Sequence, residues 1–226
     1  LGGADIVIVF FHFGLEYSKL PNEFQRQVVA KTIESGADII IGAHPHTLQP
    51  IEYFSSSSNK IDSGFVAYSL GNFVSNQRWR YSDGGAILNF SVQKNHNSGK
   101  VTLAGVRYLP IWVFKGSTAN GSEYIVLPAE VASSKEYLSE KDIAMAQECS
   151  NDTETILTTY TKNIEIDTIN KSRVRNRIRE FQKSKKWLSR IQMFGFETES
   201  IKLRKGKLQM IEIDSTLSSR ILNEIQ

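Results

Sequence analysis

DIVIVFFH at residues 5–12 and GADIIIGAHPH at residues 36–46 are the two stretches whose reading decides the fold. Each holds a short apolar run without alternation, the pattern of a strand buried on both faces of a sheet. Between them, residues 21–35 carry Phe24, Val28 and Ile33 on one helical stripe. Pro21 stands where a first helical turn tolerates proline, and Gly36 where a helix commonly ends. Strand, helix and strand in this order predict a βαβ crossover with a parallel strand pair. Both runs end in histidine: His12 closes the first, and His44 and His46 follow the second. The carboxyl ends of parallel strands gather into one crevice, so these imidazoles are expected to meet.

Beyond Pro50 the pattern changes. Short strands are predicted at 51–54, 65–70, 85–93, 101–109 and 124–127, separated by the polar turns SSSSNK (55–60), KNHNSGK (94–100) and GSTANGS (116–122). This half reads as mostly antiparallel. The fold class expected is therefore α/β shading into α+β, a mixed sheet packed on a β-rich second layer with flanking helices. Residues 135–162 read as a polar helix. Residues 172–194 read as a long basic helix, with Val174, Ile178, Phe181, Leu188 and Ile191 along one face. Two strands (200–204 and 208–213) around the turn KGK and a last helix from 215 complete a small α+β appendage. The division expected is a main domain over 1–130, a helical connector over 131–165 and the basic appendage over 166–226.

Composition narrows the function classes. With 226 residues, 40% hydrophobic and 23% charged, the chain is an ordinary globular sequence. Its single cysteine, Cys149, excludes both a disulfide framework and a thiolate metal cluster. The longest apolar run, Ile6 to Phe11, stops at His12, far short of a membrane span. A net charge of +3 does not point to nucleic acid. Between 171 and 190, however, nine Lys and Arg face Glu180 alone, a surface suited to an anionic polymer, to phospholipid headgroups or to plain solvation. No nucleic-acid-binding motif accompanies it, so nucleic acid is the least favoured partner. The chain opens on Leu1 and enters a strand almost at once, which predicts a piece of a longer protein.

The chemistry-bearing residues stand at strand ends. Three of the four histidines, His12, His44 and His46, lie there beside glycines, and the fourth, His96, sits in a polar turn. The His44/His46 pair can turn towards one centre or towards two adjacent metals, and neutral imidazole suits Mn, Fe or Zn. A third motif, YSLGNF (68–73), follows another predicted strand. Its Asn72 can either orient a ligand or simply form a turn after Gly71. Glu16 and Asp38 are possible carboxylate partners for a ring N–H, and Glu16 reads equally as a surface residue.

FFHFGLEY (10–17), GADIIIGAHPHTLQP (36–50) and VAYSLGNFVSNQ (66–77) resemble, in order and spacing, the closing motifs of the CapA/PgsA capsule-synthesis family of the calcineurin-like metallophosphoesterases. The resemblance continues through YLPIWVF (108–114) and YIVLPAE (124–130). It implies a metallophosphoesterase-like β-sandwich, here incomplete, with a two-metal site. There His12, His44 and His46 are the metal-binding and catalytic imidazoles, and Glu16 and Asn72 support them from outside. Such a pair of dications clamps phosphate oxygens and lowers the pKa of a bridging water. The family's acidic G-D motif and its Asn-His motif have no counterpart in this sequence, and dications need anionic ligands. The resemblance implies a metal-dependent hydrolase in the parent protein. Its partners would be an anionic extracellular polymer such as poly-γ-glutamate, or the machinery that makes it. Its place would be extracytoplasmic, at the cell envelope, with membrane association through an N-terminal segment not in this sequence. The alternative is a non-catalytic binding or scaffolding subunit of envelope-polymer assembly.

Overall fold

In the computed structural model, Ile39 and Phe65 point to one side of a sheet while Ile40 and Val66 point to the other, and all four are buried. That explains the unalternating runs: the sheet has a layer on each face. The structure describes residues 3–55, 61–118, 121–132, 138–161, 164–167 and 211–213. The predicted helix 172–194, strand 200–204 and last helix lie outside them.

The first sheet is built from β1 (Ile8–His12), β2 (Ile39–Ala43), β3 (Ile51–Ser55), β4 (Ser63–Ala67) and β9 (Ile211–Ile213), in the order β3-β4-β2-β1-β9. β1 and β2 run parallel with His12 opposite Ala43, and β2 and β4 run parallel with Ile41 opposite Ala67. The antiparallel β3 closes one edge, and β9 lies parallel to β1 at the other. The crossover helix α1 (Glu23–Glu34) covers one face, burying Val28 and Val29 against Val9, Phe11, Ile40 and Val66. It begins two residues later than Pro21, because Asn22 is its N-cap. The Asn22 side chain accepts from the Gln25 backbone N–H, and the Gln25 side chain accepts from the Asn22 N–H. Gly36, at φ 95°, ends it as expected. Gly36 N–H donates to Ile33 and Ala37 N–H to Thr32, the paired bonds of a Schellman closure.

The second sheet covers the other face. β5 (Gly84–Lys94), β6 (Val101–Thr118) and β7 (Gly121–Pro128) form an antiparallel meander, and the short β8 (Glu165–Ile166) lies parallel to β6. β6 continues well past the predicted end at 109. Pro110 does not stop it, because β8 pairs up to Tyr108 and β7 from Ile111, so no partner asks for the missing N–H. Ala86, Val106 and Tyr108 meet Ile39, Ile51, Phe65 and Ala67 in the core between the sheets.

A short helix, α2 (Ala129–Ala132), leads to α3 (Glu140–Tyr160), which is capped by Ser139. α3 does more than connect. Leu157 enters the core between the sheets, and Ala146 and Cys149 pack on Trp112. Burial pushes the Cys149 thiol up to about 12, so it is a structural group rather than a nucleophile. Leu157→Ala is expected to lower the unfolding free energy by about 2–5 kcal/mol. Thr158→Ala, one position along on the exposed side, should change it by less than about 0.5 kcal/mol. Denaturant titration of both variants checks the placement of α3.

Candidate functional site

The three histidines meet. His12 is the last residue of β1, and His44 follows the last residue of β2. The register that pairs His12 with Ala43 leaves His12 Nε2 3.0 Å from His44 Nδ1, with ring centroids 4.7 Å apart. His46 lies 6.2 Å from His44, centroid to centroid. A hydrogen bond between two imidazoles needs an N–H on one side and a lone pair on the other. Burial first, and then the neighbouring His12, hold the His44 pKa below its ordinary value, while the charge of Glu16 works the other way.

The backbone here is held in an uncommon conformation. His44 has φ 102° and His46 φ 58°, on either side of Pro45, and Tyr17 across from them has φ 63°. Positive φ at bulky residues costs free energy and persists only where surroundings enforce it. Phe13 N–H donates to the Ala43 carbonyl at 3.0 Å, and Tyr17 N–H donates to the Pro45 carbonyl at 2.6 Å. Beneath them lies a buried amide pair. Gln25 Nε2 donates to Gln49 Oε1 at 2.9 Å, and Gln49 Nε2 donates to the carbonyls of Ser18 and Leu20. Thr47 Oγ1 also donates to the Ser18 carbonyl. Gly14, at φ 104°, is glycine for a second reason: a Cβ there would stand 2.7 Å from the Gln25 side chain.

Asn72 is 8% exposed and faces His46. Its Nδ2 donates to the Ser82 carbonyl at 2.7 Å, to Gln77 Oε1 at 3.0 Å and, at 3.4 Å, to the His46 carbonyl. Three acceptors around the nitrogen fix the orientation of the amide, so its oxygen is the atom 2.9 Å from His46 Nδ1. That nitrogen must carry the hydrogen, and His46 Nε2 keeps its lone pair. The loop that holds Asn72 is pinned at both ends. Asn72 N–H donates to the Gly84 carbonyl, and Asp83 Oδ2 accepts from Trp112 Nε1 at 2.8 Å. Gly71, at φ 72°, lets this loop lie against the backbone of Gly84 and Gly85, where a Cβ would come within 2.9 Å.

Two other sequence expectations meet different outcomes. Glu16 is exposed and acts on His44 through its charge. Asp38 sits at the opposite end of β2, about 20 Å away at the ordinary strand rise. It is buried there, and its Oδ2 accepts from Val7 N–H. Sequence reasoning missed Gln25, Gln49, Gln77 and Tyr17. The spacing of Asn22 and Gln25 is a readable capping signature; nothing local marks the other three.

As a donor set the site is all imidazole. Among the described residues, no group of three or more His, Cys, Asp or Glu is arranged to hold a metal ion. Three imidazoles can hold a single zinc ion, but a two-metal centre calls for anionic ligands as well, and no group of the described residues completes one.

Residues 1–77 match the family described as "Bacterial capsule synthesis protein PGA_cap". The chain is 42% identical over 92 residues to the "PGA biosynthesis protein CapA" of Bacillus subtilis (strain 168), covering 41% of this chain and 22% of that protein. It is 36% identical over 94 residues to the "Capsule biosynthesis protein CapA" of Bacillus anthracis, covering 42% of this chain and 21% of that protein. The match thus spans about a fifth of each relative's length. Over residues 1–77, the part that carries all three histidines and Asn72, the sequence is similar to CapA-type capsule synthesis proteins.

Two predictions follow from this geometry. Long-range 1H–15N spectra in mildly alkaline buffer should find His46 as the Nδ1–H tautomer. Asn72→Ala should shift it towards Nε2–H, and an unchanged tautomer would remove Asn72 from this role. Gln49→Leu strands the buried Gln25 Nε2 and takes one donor each from the Ser18 and Leu20 carbonyls, and should cost about 1–3 kcal/mol in denaturant unfolding.

Proposed function

We propose that residues 1–77 supply the imidazole wall of a metallophosphoesterase-type dinuclear centre in a CapA-type protein, one that acts in making or exporting an anionic envelope polymer such as poly-γ-glutamate. The observation that carries this reading is the His44-Pro45-His46 turn: two histidines at positive φ, one against His12 and one aimed by Asn72. Strain of this kind clusters where side chains must be held for chemistry. His12, His44 and His46 would bind Mn, Fe or Zn, and Asn72 would fix the His46 tautomer from outside. Glu16 would contribute negative charge at the rim. The anionic ligands would come from another part of the protein or from a partner. The names of the relatives support a role at the cell envelope. Among the described residues no helix is long and apolar enough to cross a membrane. Membrane attachment would therefore use another segment.

A second reading, a non-catalytic binding or scaffolding subunit, is favoured by the all-imidazole donor set. One experiment separates the two. The sequence is joined to the remainder of a CapA-type protein, and bound metal and phosphodiester hydrolysis are measured with and without His12, His44 and His46 replaced by Ala. The leading reading expects loss of most bound metal and of all hydrolysis in the triple variant. Full metal occupancy in that variant would overturn it. A complete protein that holds no dication would establish the second reading.

A further inference from the structure

Ten large apolar side chains are exposed among the described residues, and two of them, Tyr17 and Trp79, extend outward from His46. These two form an ordered pair. Tyr17, 44% exposed, and Trp79, 52% exposed, have ring centroids 5.5 Å apart at 64°. Tyr17 also stacks on His46, with centroids 6.0 Å apart and 28° between the planes. An aromatic wall therefore runs outward from His46 through Tyr17 to Trp79.

The wall is held in place. Tyr17 keeps its positive φ through its N–H bond to the Pro45 carbonyl, and its hydroxyl accepts from Gln77 Nε2 at 3.3 Å. Gln77 in turn accepts from Asn72, the residue that orients His46. One hydrogen-bonded chain thus fixes both the histidine and the ring beside it. Holding two aromatic rings towards water, one of them on a strained backbone, opposes the usual drive to bury them.

Charge on this rim is mixed: Glu16 is exposed beside His44, and two cations lie against the Tyr81 ring. Lys19 Nζ lies 4.3 Å from the Tyr81 ring centroid, and the Arg80 guanidinium lies 4.9 Å from the same centroid. Arg80 is tied to Asp152 and Glu148. Lys19 has no carboxylate partner among the described residues.

We propose that Tyr17 and Trp79 form a stacking subsite for the ring of an anionic substrate. The ring's apolar face lies on the indole, and its charged group is carried towards the histidines. This rests on the reading of the histidines as the reactive centre. A linear polyanion without rings has no use for such a wall. A phosphate ester of a sugar or a nucleoside presents both a ring face and a negative charge, and the rim offers stacking and a free cation to match.

The test uses the whole chain and NMR of the indole N–H groups of Trp79, Trp112 and Trp187, with Trp79→Phe assigning the first. The probes are a hexose monophosphate, adenosine monophosphate and inorganic phosphate. The Trp79 signal should move saturably with a ring-bearing probe while that of buried Trp112 stays still. Whichever ring binds better identifies the source. Trp79→Ala should weaken that binding about tenfold, the worth of one ring-stacking contact. An unchanged Trp112 signal checks that the variant is folded. No movement, an equal response to inorganic phosphate, or unchanged affinity in a folded Trp79→Ala would each overturn the subsite. Loss of metal binding with an intact Trp79 response would remove the reactive centre instead and leave the subsite standing.

Discussion

The parallel pairing of β1 and β2, in the register that sets His12 against Ala43, is the contact on which the rest of the site depends. Side chains alternate along a strand, so a slip of one residue would turn His12 to the other face. It would also drag Val9 and Phe11 out from under α1. Because both faces of the sheet are covered, that slip would force two packed cores to rearrange at once. Gly42 adds a local condition. A Cβ there would stand 2.1 Å from the Tyr68 carbonyl oxygen and 2.8 Å from the Phe13 ring. Only glycine lets the ends of β2 and β4 close up beneath the histidines.

The turn that follows is costly, and the loops around it offset the cost. Residues held at unfavourable φ carry of order 1–3 kcal/mol each. A satisfied hydrogen bond returns only about 0.5–1.5 kcal/mol net. Several bonds are therefore needed to hold His44 and His46, and several are present: Phe13 to Ala43, Tyr17 to Pro45, Thr47 to Ser18, and Gln49 to Ser18 and Leu20. The buried Gln25–Gln49 pair is the keystone, since every polar atom of both amides has a partner. Its chemistry is structural, yet it sets the distance between the loop of Tyr17 and the loop of His46.

Much of this was legible in the sequence for a definite reason. Buried parallel strands write themselves as unbroken apolar runs, and Gly36 ends its helix through a backbone need that is local. The convergence of His12 with His44 and His46 follows from strand order alone. Asn72 was readable as a candidate, because a polar residue after a strand and a glycine has few tasks. The assignment of Asp38 to the site failed on direction: a residue that begins β2 lies at the far edge from one that follows it. The C-terminal end of β6 was misjudged at Pro110, where two partners leave a gap that no local pattern announces. Gln49, Gln77 and Tyr17 act through partners dozens of residues away, and a pairing of that kind leaves no mark on either segment. β9 falls in the stretch that sequence reading set apart as an appendage, yet its backbone extends the first sheet beside β1.

What the site lacks is charge rather than geometry. His46 is committed at Nδ1 and open at Nε2, while His12 and His44 spend one nitrogen each on the other. The three imidazoles are therefore not equivalent, and the wall they form has one preset lone pair and one shared hydrogen bond. All three are neutral donors when they accept a cation, so none offsets a positive charge brought among them. Glu16 is the carboxylate whose field reaches His44, and it is exposed, where water screens its effect. A dication placed here would keep nearly all of its charge. The same deficit gives an anion a reason to approach. A phosphate ester brings the negative charge that the protein side does not, and the aromatic wall beside His46 offers its ring a place to rest.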